Sequence, residues 1–101
     1  MTITHGFHAR IPARPGKGGE LVDLLLGAPS LGNDDCLVFL VGQSASDADV
    51  VFVTEGWSSP EAHGRFFNSE VAKAFTARVQ ELVGGESQYA DEVPVGGKAA
   101  I

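Results

Sequence analysis

Two short runs constrain this chain more than any other feature. Cys36-Leu-Val-Phe-Leu-Val41 and Val50-Val-Phe-Val53 are apolar at every position. A strand with one wet face alternates apolar and polar residues, whereas a strand apolar on both parities is buried on both faces. The polar loop Gln43 to Asp49 between the runs makes them read as a hairpin. That hairpin needs cover on two sides. The rest of the 101 residues must supply it or leave a face for another molecule.

The flanking segments supply one side. Ile3, His5, Phe7, Ala9 and Ile11 share a parity, which predicts a first strand over residues 2–12 ended by Pro12. After the turn Pro15-Gly-Lys-Gly-Gly19, the residues Leu21, Leu24, Leu25 and Ala28 recur at helical spacing, with Gly27 and Pro29 as stops. Ser30 to Asp35 reads as a polar loop. Past the hairpin, Ser58-Ser-Pro-Glu61 is a helix start: a serine cap, a proline near the first position and an acid in the first turn. Gly64 weakens that helix, and Ser69-Glu70 restarts it through Val71, Ala74, Phe75, Val79 and Leu82 to Gly84-Gly85. Glu86 to Val95 reads as a last strand.

The order is β-α-β-β-α-β, an α+β, ferredoxin-like protomer with a four-stranded antiparallel sheet. Two helices cover one face of such a sheet. The economical cover for the other face is a second copy of the chain, hence an expected homodimer. Residues 1–101 form a single domain, with a core at about 3–95 and a flexible tail at 96–101.

Charge narrows the partners. Thirteen acidic residues against seven Lys and Arg give a net charge of −6 and no basic patch, so neither nucleic acid nor an anionic membrane surface is an expected partner. No apolar run approaches the roughly 20 residues of a membrane span. Cys36 is the single cysteine, so an internal disulfide and a thiolate metal cluster are impossible. With no basic leader at Met-Thr-Ile-Thr-His, the expected compartment is the cytoplasm.

Several segments together resemble the antibiotic biosynthesis monooxygenase family. They are Arg10-Ile-Pro-Ala-Arg-Pro-Gly16-Lys17, Asp35-Cys-Leu-Val-Phe39, Val53-Thr-Glu-Gly-Trp57-Ser-Ser-Pro-Glu-Ala62 and Asn68-Ser-Glu70. The most specific part is Glu55-x-Trp57-x-Ser59-x-Glu61-Ala62. The resemblance implies a dimeric α/β barrel and a monooxygenase that oxidises a phenolic, quinol or polycyclic aromatic substrate without flavin, haem or metal. Once deprotonated, such a substrate can itself reduce dioxygen. The protein then binds it in an apolar pocket, assists proton removal and stabilises charge on oxygen. The chain carries no dinucleotide-binding glycine motif or phosphate loop. It departs from the family where many members have a histidine nine residues after the tryptophan: that position is Phe66, and the nearby histidine is His63. The haem-degrading branch has a tryptophan and a histidine where this chain has Phe66 and Thr76, which leaves haem binding as a third reading behind a non-catalytic ligand-binding or structural homodimer.

Candidate site residues follow. Trp57 is either a pocket wall and indole N–H donor or a core anchor for the second helix. His63, one turn before Phe66 and Phe67, is a proton shuttle or a helical surface histidine. His5 shares the parity of Phe7 and reads as a satisfied core histidine. His8 faces the other way with Arg10, as a second proton-handling candidate or an interface residue. Glu55 is a pocket acid, with an ion pair to Arg10 or Arg65 as the favoured alternative to a general base. Phe66 and Phe67 are core or substrate platform, and Tyr89 is an oxygen-directed donor or an interface residue.

Overall fold

A computed structural model of the protein describes residues 2–99. The elements are β1 (His5–Pro12), α1 (Gly18–Leu25), a 3-10 turn (Pro29–Gly32), β2 (Cys36–Gln43), β3 (Val50–Trp57), α2 (Pro60–Phe67), α3 (Glu70–Leu82) and β4 (Gln88–Glu92). The strands form one antiparallel sheet in the order β2-β3-β1-β4, the ferredoxin-like arrangement. Of the expected flexible tail, residues 100 and 101 lie outside the described residues, as does Met1. Among the described residues no helix is long and apolar enough to cross a membrane.

Strand register decides which side chains meet. Phe39, Glu55, Phe7 and Asp91 form one row across all four strands, and Val41, Val53, Ala9 and Tyr89 form the next. Trp57 and His5 pair at the end of the same face. The helices cover this face, and its core is Ala9, Ile11, Leu21, Leu25, Val51, Val53 and Val79. The opposite face carries His8, Arg10, Val38, Leu40, Phe52 and Thr54. There Leu40 is 43% exposed and Phe52 is 41% exposed. A lone protomer therefore covers one side of the hairpin and leaves the other in water.

Boundaries differ from expectation where a distant group sets them. The helical spacing predicts α1 from Glu20, but the helix begins at Gly18. The Asp49 carboxylate accepts the Gly16 and Gly18 N–H groups, each at 2.9 Å, and so caps the helix from the β2–β3 loop. A Cβ on Gly18 would lie 1.9 Å from the Ala48 carbonyl oxygen, so only glycine fits there. Pro29 opens the 3-10 turn instead of merely stopping α1, because its fixed φ suits a first helical position. The helix restart expected at Ser69-Glu70 appears as a division into α2 and α3, each with a serine cap: Ser59 accepts from Ala62 N, and Ser69 from Ala72 N. Ile3 precedes β1 and packs over Gly56 beside Val38, on the open face rather than with Phe7. β4 is shorter than expected, an edge strand paired only with β1.

Candidate active site

Between the sheet and the helices lies a cavity of about 560 Å³, within the range of small-molecule sites. Small side chains at Ala9, Ala28, Gly64 and Ala72 leave the space, and Phe39, Phe66, Phe67 and Phe75 give it aromatic walls. Polar groups gather at one end. There β3 contributes Glu55, α2 contributes His63 and β4 contributes Asp91, with His5 of β1 behind them.

The geometry of that corner is specific. The Trp57 indole N–H donates to Glu55 Oε1 at 2.8 Å. Glu55 Oε1 lies 3.9 Å from His63 Nε2. His63 Nδ1 is 3.1 Å from His5 Nε2, which is also 3.2 Å from Asp91 Oδ1. One tautomer set satisfies these contacts: His5 Nε2–H points at His63 Nδ1 and Asp91, and His63 carries its proton on Nε2 toward Glu55. His63 is boxed by rings, with centroids 4.9 Å from His5, 5.1 Å from Phe7 and 5.0 Å from Trp57. Its position follows from the Ser59 cap, which sets the start of α2 and turns residue 63 onto the sheet.

Burial tunes the pair in opposite senses. Desolvation raises the Glu55 carboxyl above its usual 4.5, and the Trp57 N–H only partly offsets this. Desolvation lowers His63 below 6.5, helped by His5 and opposed by Asp91. The two proton affinities move toward each other. A proton can then pass between Glu55 and His63 with a smaller free-energy difference than in water.

The structure separates the expected site residues. His63, Glu55, Phe66, Phe67 and Tyr89 all line the cavity, and Tyr89 stacks on Phe7 at 5.8 Å. Of the two readings of Trp57 the structure favours the core anchor: it is fully buried, and its N–H is engaged by Glu55. His8 stands apart from the cavity, on the open face that its parity with Arg10 predicts, where Nε2 meets Glu92 at 2.7 Å. The Glu55 ion pair with Arg10 or Arg65 does not form. Arg10 projects from the opposite face of the sheet, and Arg65 is an exposed residue of α2. Phe66 and Thr76 both line the cavity, and neither offers a haem ligand. His5 is buried and partnered, as its parity with Phe7 predicts, and it also borders the polar corner. Asp91 is not among the sequence candidates, and the signal for it is the parity it shares with Tyr89 on β4.

Comparison with known proteins agrees with this architecture. Residues 4–78 match the family described as antibiotic biosynthesis monooxygenase. A proposed antibiotic biosynthesis monooxygenase from Chloroflexus aurantiacus is 28% identical, with a TM-score of 0.83 over 95% of this chain and 97% of its own. Two further solved structures share the fold. One, a proposed antibiotic biosynthesis monooxygenase from Caulobacter crescentus, is 21% identical with a TM-score of 0.81, covering 93% of this chain and 92% of that one. The other, from Mycobacterium tuberculosis, is 22% identical with a TM-score of 0.80, covering 94% and 98%. No curated protein matches the chain.

Proposed function

The chain belongs to the antibiotic biosynthesis monooxygenase family, and from that premise we propose that it oxidises a phenolic, quinol or polycyclic aromatic substrate with dioxygen, without a cofactor. The observation that carries this reading is the pairing of an aromatic-walled cavity with one proton-handling corner, Glu55–His63–His5–Asp91. The apolar wall suits a flat aromatic body, and the corner suits the one group that must lose a proton.

Deprotonation makes the ring electron-rich enough to reduce oxygen. For an anthrone-type methylene carbon, electron transfer to dioxygen and recombination form a C–O bond. The hydroperoxide then loses water to leave a carbonyl. One oxygen atom enters the product and the other leaves as water with the two hydrogens of the carbon, so no outside reductant is needed. In this scheme the Glu55–His63 pair takes the first proton, on the Glu55 carboxylate while His63 keeps its own proton on Nε2. Trp57 is a positioning residue that holds Glu55 in reach. The half-exposed Leu40 and Phe52 support a homodimer closed through the helix-free faces. The single reduced thiol suits the cytoplasm.

The test is oxygen uptake with a panel of anthrones and quinols. His63→Gln is expected to lower turnover by about 10²–10⁴ and to flatten the pH profile near neutrality. Absent turnover together with saturable aromatic binding would replace the enzyme by a ligand-binding dimer, the reading that Phe66 in the usual histidine position favours.

A further inference from the structure

We propose that His5, His63 and Asp91 form a binding site for a divalent first-row transition-metal ion. Three elements bring them together: β1, α2 and β4. One ligand atom from each lies within 4.8 Å of the other two. His5 Nε2 is 3.1 Å from His63 Nδ1 and 3.2 Å from Asp91 Oδ1. Nitrogen and oxygen ligands about 2.0–2.2 Å from one tetrahedral ion stand roughly 3.3–3.6 Å apart. Two edges of a coordination polyhedron are therefore close to ligand spacing before any ion arrives.

The surrounding groups fit the same purpose. With the His5 proton shared between His63 and Asp91, three donor atoms converge on one hydrogen, and an ion satisfies all three at once. A metal-bound imidazole usually offers its second nitrogen to a carboxylate. Here His63 Nε2 faces Glu55, which Trp57 in turn holds at 2.8 Å. The His5 and His63 side chains are only 11% and 13% exposed, while Asp91 is 72% exposed and leaves a way in. Two imidazoles and one carboxylate select zinc, iron, cobalt, nickel or copper over the all-oxygen preference of calcium and magnesium.

Zinc titration calorimetry on the EDTA-treated full chain tests the site without reference to turnover. The expected result is one ion per chain, with affinity at least tenfold weaker in His63→Gln and in Asp91→Asn. Glu55→Gln is expected to weaken it about 10–100-fold, as for other groups that orient a ligand. His8→Gln on the opposite face leaves it unchanged. Asp91 is an exposed edge residue, so circular dichroism of Asp91→Asn should match wild type. No stoichiometric uptake, or equal affinity in His63→Gln and Asp91→Asn, overturns the site. An effect on turnover rests on the proposed oxygenase reading, in which zinc in this corner should inhibit oxygen uptake at concentrations matching its affinity. Activation by zinc would overturn that half. Uptake of zinc without any turnover leaves the site standing and removes the oxygenase reading; turnover without zinc uptake does the reverse.

Discussion

Replacing Trp57 by phenylalanine separates the support role from all others. The change keeps a ring in the core and deletes the N–H that meets Glu55 at 2.8 Å. A hydrogen bond to a charged acceptor is worth about 1.5–3 kcal/mol. The unfilled part of a fully buried indole adds up to about 1 kcal/mol. The variant should therefore lose about 2–4 kcal/mol at neutral pH, and its Tm should fall by at least about 8 °C for a chain this size.

The pH dependence carries the argument. Glu55 is raised in the folded protein, so it binds protons more tightly there than in the unfolded chain. Its ionisation therefore works against folding, and stability is lost as pH rises from about the unfolded value of 4.5 through the raised folded one. Trp57 is the group that lowers this raised value, so Trp57→Phe raises it further. The gap between variant and wild type should be widest at pH 8. It should shrink toward the ring contribution and a neutral hydrogen bond at pH 4. In a Glu55→Gln background the same substitution meets only a neutral acceptor, worth about 0.5–1.5 kcal/mol, and should couple by about 1 kcal/mol. Thermal melts by far-ultraviolet circular dichroism, at one matched protein concentration, measure both. A gap equal at pH 4 and pH 8, together with strictly additive losses, would refute the support role.

Three other outcomes follow from separate parts of the molecule. Burial and the Glu55 carboxylate push the Cys36 thiol up to about 11, so at pH 8 only about 0.1% is thiolate; disulfide reagents should label the folded chain about two orders of magnitude more slowly than the urea-unfolded one. The Gly16 and Gly18 N–H groups hold Asp49 below its usual 3.8, a contribution present above that value and lost as pH falls through the folded one. The Tm difference between wild type and Asp49→Ala should therefore close in strong acid, and a constant difference would point elsewhere. Sedimentation should give the mass of two chains, and glutamate at Leu40 or Phe52 should abolish the cooperative melt rather than release a stable monomer.

Much of the fold was legible because it depends on short-range pattern. The doubly apolar runs located β2 and β3, the serine caps located α2 and α3, and the element order gave the sheet its topology. What stayed illegible depends on partners far along the chain. The start of α1 rests on Asp49, 31 residues beyond Gly18, and no local signal marks it. A buried acid such as Glu55 needs a donor, and the sequence alone points to an arginine. The donor proved to be Trp57, two residues away on the same strand face.

The proton-handling corner was harder to see for a physical reason. Alternation reports which face of a sheet a residue occupies, not whether helices close over it. His5 shares the face of Phe7, Ala9 and Ile11, so the same parity that marks a core strand also marks a cavity wall. Small residues separate the two cases. Ala9, Ala28, Gly64 and Ala72 stand where larger apolar side chains would fill the space, and polar residues of that parity then border a cavity instead of packed carbon. By this criterion His5 and Asp91, at opposite ends of the chain, belong with Glu55 and His63 as soon as sheet register is known. Filling the space tests it. Ala72→Leu on α3 adds bulk to the cavity wall and keeps all four polar groups, so it should block binding of aromatic ligands while leaving the pH dependence of the Trp57→Phe effect intact. Unimpaired aromatic binding would mean that the ligand lies elsewhere.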